Sequence, residues 1–267
     1  MTMNDELVRA YLNRENMSGY WERWFFHELE AGRNVFECPL WNPEQARNVE
    51  VLLQSIEKSC QDFRPANERI WNELFPDWRE IPVHIDLIVG FPQPYDAVTM
   101  RDAEGNTHIL LDLIRWCDYG LPKQPERVIR NLLAHEMTHV FIGYVYPEAD
   151  EAQENTDYRT MMDARTFQEG FAHLIAYDDT EIGRVDWDSD FFKQIKQKSR
   201  EKMREAIAET DPVRQKEHLR RAFCGRYEDK YACICGMLYL AGRWQKSGMN
   251  GLKESFSDFH GFAEKMI

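Results

Sequence analysis

The stretch QPERVIRNLLAHEMTHVFIGYVYP, residues 124–147, constrains the fold of this chain more than any other. Ile129, Leu133, Met137, Val140, Phe141 and Tyr144 recur at three- and four-residue spacing and form one broad apolar arc of a helix, with Val128 and Leu132 beside it. His135, Glu136 and His139 lie next to that arc, on the inner half of a helix that should be mostly buried. Two imidazoles and a carboxylate are costly there unless something pairs with them, and a metal ion does so directly. Residues four apart on a helix sit on one face about 6 Å apart, so His135 and His139 can converge on one ion. With zinc in that position, a bound water ionises near neutral pH, and the carboxylate of Glu136 can take its proton as it attacks a carbonyl. This is the physical content of H-E-x-x-H.

A catalytic zinc of this type needs a third protein ligand. The pattern H-E-x-x-H-x-x-G-x-x-H does not continue, because Ile142 and Val145 stand where Gly and His would be required. The next helical segment, FQEGFAHLIAY, carries Glu169, Ala172, His173 and Ala176 as one stripe flanked by Phe167, Phe171, Leu174 and Ile175. Small residues on that stripe permit a close approach, and Glu169 is the carboxylate it would aim at the metal.

The rest of the chain frames these two helices. Residues 3–75 read as helical, with Asn42-Pro43 as a start signal and with Tyr20, Trp21, Trp24, Phe25 and Phe26 expected in a packed helix interface. From Ile81 the texture changes to IPVHIDLIVGFPQPYDAVTMRDAEGNTHILLDLI, about three short strands broken by turn residues. Helical patterns then run through TDYRTMMDARTFQEGFAHLIAYDD and SDFFKQIKQKSREKMREAIAE to DKYACICGMLYLAGRWQKSG. The expectation is an α+β fold, mostly helical, with one small sheet preceding the motif helix. Along the chain we expect a helical region at 1–78, a catalytic core at 79–180, and a helical region at 181–267 packed on that core.

Charge narrows the partners. Thirty-three Lys plus Arg against 46 Asp plus Glu give −13, which opposes contact with nucleic-acid backbones and anionic lipid. The longest nearly uncharged apolar run, YACICGMLYLAG at 231–242, is too short to span a bilayer, and the first residues carry no export signal. With six scattered cysteines, the chain is expected to be cytoplasmic. Cys224, Cys233 and Cys235 with His218 are donors of the right type for a structural zinc. Cys233 and Cys235, however, point about 200° apart around a helix, so free buried thiols are expected and one zinc per chain follows.

HEMTH followed by EGFA resembles the gluzincin class of zinc metallopeptidases, and the chain is similar in size to small bacterial zinc-dependent peptidases. The resemblance covers roughly residues 81–180. It implies that His135, His139 and Glu169 are zinc ligands and that Glu136 is the general base. It also implies an oxyanion donor from a Tyr or His of a later helix, for which Tyr231, Tyr227 and His173 are candidates. By the same resemblance an edge strand binds the substrate backbone, and GNTHILLDLI is the candidate strand. The chain departs from the class in three ways. The interval from His139 to Glu169 is long, no G-A-M-E-N type loop supports exopeptidase specificity, and His173 stands where many gluzincins place an Asp that orients a zinc histidine. Asp163 or a backbone carbonyl would then take that supporting role.

The function expected is hydrolysis of peptide bonds in peptides or unfolded proteins. A non-catalytic zinc-binding regulatory protein and a hydrolase of a nonpeptide amide are the competing expectations. Asp112, Asp163 and the segment YPEADEAQEN (146–155) are expected to give the site a negative potential, and that segment, expected as a loop, to restrict entry to the cleft.

Overall fold

Four strands form one mixed sheet: β1 (Thr2–Asn4), β2 (His84–Ile88), β3 (Ala97–Arg101) and β4 (Thr107–Asp112), in the order β1-β2-β4-β3. β1 and β4 both run parallel to β2, and β3 is antiparallel to β4. The structure, a computed structural model, describes residues 1–267 apart from 31, 119, 121, 122, 155 and 226–228. Its α+β character, mostly helical with one small sheet ahead of the motif helix, is the one the sequence implies.

The strands form where turn chemistry isolates them. Between β3 and β4, Asp102 Oδ1 accepts from Asn106 N at 2.8 Å and Gly105 takes φ +86°, a conformation that glycine adopts without a Cβ penalty. Ile85–Ile88 of β2 and Ile109–Asp112 of β4 are buried, as expected of strands covered on both faces. β4 therefore lies inside the sheet, hydrogen-bonded to β2 on one side and β3 on the other. This corrects the expectation that GNTHILLDLI is an edge strand. The edge strands are β1 and β3, and the first four residues of β3 are only half-buried and its last is exposed. β1 was not expected either. Three residues carry no periodicity of their own, and they are held by pairing with β2, by Thr2 Oγ1 against His84 Nδ1 at 2.8 Å and by Asn4 Nδ2 donating to Asp86 Oδ1 at 2.9 Å.

The helices, in chain order, are α1 (Glu6–Leu12), α2 (Phe25–Glu28), α3 (Pro43–Gln61), α4 (Glu68–Leu74), α5 (Leu113–Asp118), α6 (Pro125–Val145), α7 (Pro147–Glu151), α8 (Tyr158–Ala176), α9 (Asp190–Ala208), α10 (Pro212–Phe223) and α11 (Tyr231–Phe256). α3 begins where the sequence signals it, with the Asn42 side chain accepting from Glu44 N and Gln45 N and Pro43 at the first helical position. Between α1 and α3 the expected long helix is absent. Arg14 takes a left-handed φ of 58°, and among the described residues only one turn of 3-10 helix and the four-residue α2 follow. Five aromatics between 20 and 26 cannot all face one core from so short an element. Phe25 and Phe26 are buried, with Phe26 against Phe36 and Phe91 at centroid distances of 4.7 and 5.5 Å, whereas Trp21 is 45% exposed. The 146–155 segment also differs from the expected loop, because Pro147 starts the short helix α7.

The chain divides into two structural units, Met1–Arg64 with Arg79–Val140 and Pro65–Trp78 with Phe141–Ile267. In the first, Val8, Tyr11, Ile56, Phe91, Ile109 and Ile129 are among the fully buried side chains. Asp112 anchors the end of β4: its carboxylate accepts from Phe91 N at 2.7 Å, Ile114 N at 2.9 Å and Arg115 N at 3.0 Å. Burial pushes its pKa up to about 6, against the pull of those three donors. In the second unit, Trp71 packs on Phe141 at 4.9 Å and Phe167 on Phe171 at 5.0 Å. Asn67 closes the end of α8, with Nδ2 donating to Ile175 O at 2.7 Å and Thr180 O at 2.9 Å and Oδ1 accepting from Ile182 N. Among the described residues no helix is long and apolar enough to cross a membrane.

Candidate metal centre

Helix α6 buries Ile129, Leu133, Met137, Val140 and Phe141, the arc that the spacing implies. Tyr144 is the exception at 63% exposed, and Val128 on the flank is 48% exposed, so the buried stretch is the middle of the helix and not its ends. That middle carries the polar motif. Thr138, fully buried, returns its hydroxyl to Ala134 O at 2.7 Å and so costs no unpaired group. His135 and His139 are half-buried, and their Nε2 atoms lie 3.2 Å apart. Two donors about 2.0–2.1 Å from a tetrahedral zinc are about 3.3 Å from each other, so the pair already has the separation of adjacent zinc ligands. Glu136 is 8% exposed, and its Oε2 accepts from the hydroxyl of Thr99 on β3 at 2.8 Å.

Helix α8 presents a second pair built by the same spacing. It starts at Asp157, whose side chain accepts from Arg159 N and Thr160 N. Three turns later Glu169 Oε2 and His173 Nε2 stand 3.3 Å apart, again the edge length of a zinc tetrahedron. Gly170 explains how the helix can sit so deep. A Cβ there would lie 2.9 Å from Gly236 Cα, and a Cβ at Gly236 would lie 2.7 Å from Thr166 O, so α8 and α11 meet backbone to backbone. That approach brings Cys233 of α11 to Glu169, with the thiol 3.6 Å from Oε2. Burial, reinforced by the Glu169 charge, raises the Cys233 pKa and keeps the group a thiol that donates to the carboxylate. In donor chemistry each pair suits zinc: two imidazoles on α6, and a carboxylate with an imidazole on α8.

The other candidates are engaged elsewhere. The Tyr231 hydroxyl lies 3.0 Å from His218 Nδ1, and burial holds its pKa above the ordinary tyrosine value, so it keeps its proton. Tyr227 lies outside the described residues. Asp163 does not support a zinc histidine: its two oxygens accept from Gly261 N and Ala263 N at 2.8 Å each and tie down the C-terminal segment. Asp112, fully buried with its oxygens occupied by backbone N–H groups, adds no exposed charge to a cleft. Both corrections have one cause, since an acid near a motif in sequence can be claimed by backbone donors that sequence does not reveal. All six cysteines are free, with Cys233 and Cys235 buried and Cys224 exposed. Among the described residues these cysteines and His218 form no metal-holding group. Thr99 and Gly236 carry no motif signal in the sequence and matter only through what they face.

The chain belongs to the protein family described as "Putative zinc dependent peptidase (DUF5700)", whose profile matches residues 45–242. The match runs from within α3 into α11 and contains His135, Glu136, His139, Glu169 and His173. No curated protein and no solved structure matches the chain.

Proposed function

We propose that the chain is a peptidase of the gluzincin type, in which His135, His139 and Glu169 hold one zinc ion and Glu136 is the general base. The observation that carries this is the 3.2 Å separation of the His135 and His139 imidazole nitrogens on α6, the spacing of adjacent zinc ligands. Support also comes from the zinc-dependent peptidase family and from the donor types of His135, His139 and Glu169, which zinc takes in open catalytic sites. When bound, zinc would polarise the scissile carbonyl and lower the pKa of water toward 7.

The chain's own groups do the rest. Glu136, nearly buried and directly after His135, takes a proton from water and returns it to the leaving amine. His173 beside Glu169 is the candidate for donating to the developing oxyanion, since the Tyr231 hydroxyl is held by His218. β3, the edge strand, offers backbone groups on its open side to an extended peptide, and its Thr99 already reaches Glu136. The substrate is therefore an extended peptide or unfolded segment.

The test is hydrolysis of a mixed peptide library by the purified chain before and after chelation. Cleavage should disappear when the metal is removed and return on addition of zinc. A zinc-loaded chain that cleaves neither peptides nor unfolded protein would instead favour a non-catalytic zinc protein.

A further inference from the structure

Thr99 lies in the middle of β3, opposite Ile109 of β4. Its hydroxyl donates to Glu136 Oε2 at 2.8 Å, a charge-assisted bond between the edge strand and the motif helix. Strand alternation sends Val98 and Met100 to the other face, so Thr99 is the residue of β3's centre that addresses Glu136. A glutamate has three rotatable side-chain bonds, and general-base catalysis demands that one oxygen meet the water within hydrogen-bond reach and in a fixed direction.

We propose that Thr99 is a positioning residue for Glu136. By holding Oε2, the hydroxyl fixes the plane and rotamer of the carboxylate that takes the proton from water. It also ties that orientation to β3, so that seating a peptide on the edge strand and aligning the base become one event. This inference rests on the peptidase function proposed above. Valine has nearly the volume and β-branching of threonine and suits a strand equally well, so Thr99→Val removes the hydroxyl and little else. Serine restores the donor.

The experiment compares wild type, Thr99→Val and Thr99→Ser for kcat, KM and zinc content, and measures a double-mutant cycle with Glu136→Ala by urea unfolding. Thr99→Val should lower kcat about ten- to a hundred-fold, the range for a lost hydrogen bond to a charged group, with KM and zinc content nearly unchanged. Thr99→Ser should stay within about three-fold of wild type. In the unfolding cycle the two positions should be non-additive by at least about three-fold in the equilibrium constant, a result independent of activity. The proposal is overturned if Thr99→Val keeps the wild-type kcat, if Thr99→Ser is as impaired as Thr99→Val, if Thr99→Val loses zinc, or if the cycle is additive. A wild-type chain that binds zinc and hydrolyses nothing would overturn the peptidase function itself and Thr99's role with it. An active wild type with an unimpaired Thr99→Val would overturn only the role of Thr99.

Discussion

Glu136→Gln is expected to lower peptide hydrolysis by a hundred- to ten-thousand-fold, the usual contribution of a positioned general base, while leaving zinc bound. Glutamine has the same volume, so the buried position is refilled without a cavity or clash. Its amide oxygen can still accept from Thr99, so the tie between β3 and α6 survives. What the amide cannot do is take a proton from water. The check is kcat together with metal content in one preparation. A Glu136→Gln protein with wild-type activity would remove Glu136 from the chemistry, and one that lost zinc would make it a ligand.

The second large effect concerns packing and not chemistry. Gly236→Ala should destabilise the chain by about 2 kcal/mol, because overpacking costs about 1–3 kcal/mol and the gain in helix propensity recovers at most about 1 kcal/mol. The added carbon would lie 2.7 Å from Thr166 O and 2.8 Å from Gly170 Cα, backbone atoms that cannot swing aside. Relief requires α8 and α11 to separate, which moves Glu169 and, with Glu169 as the proposed third ligand, should weaken zinc binding as well. Gly242 lies on the same helix and has nothing within 4 Å of a built Cβ, so Gly242→Ala should be neutral or slightly stabilising. The two melting temperatures should therefore shift in opposite directions or differ by roughly 4–8 °C. Equal shifts would show that the glycine crossing carries no strain.

What the sequence reveals of this structure depends on which contacts are local. His135 and His139 were legible as a pair because helical spacing puts residues four apart on one face, and Glu169 with His173 because the same rule applies on α8. α3 was legible from Asn42-Pro43, a signal contained in two residues. The sheet was legible as strands but not as an order. Buried runs in β2 and β4 look alike, and only pairing partners many residues away make β4 internal and β3 the edge. β1 depends wholly on β2, some 80 residues on, and could not be seen from its own three residues. Asp112 and Asp163 looked like sources of surface charge until backbone N–H groups were found to occupy their oxygens. Gly170 was quoted as part of a motif, yet its reason lies in Gly236, across a helix crossing that no periodicity encodes.

X-ray absorption at the zinc edge, on the full chain loaded with zinc at neutral pH, tests the central claim most directly. The account predicts one zinc per chain with a shell of nitrogen and oxygen donors near 2.0–2.1 Å, imidazole scattering from His135 and His139, and loss of tight binding in Glu169→Ala. Sulfur at about 2.3 Å would place the ion among the cysteines, and failure to bind zinc at all would remove the site.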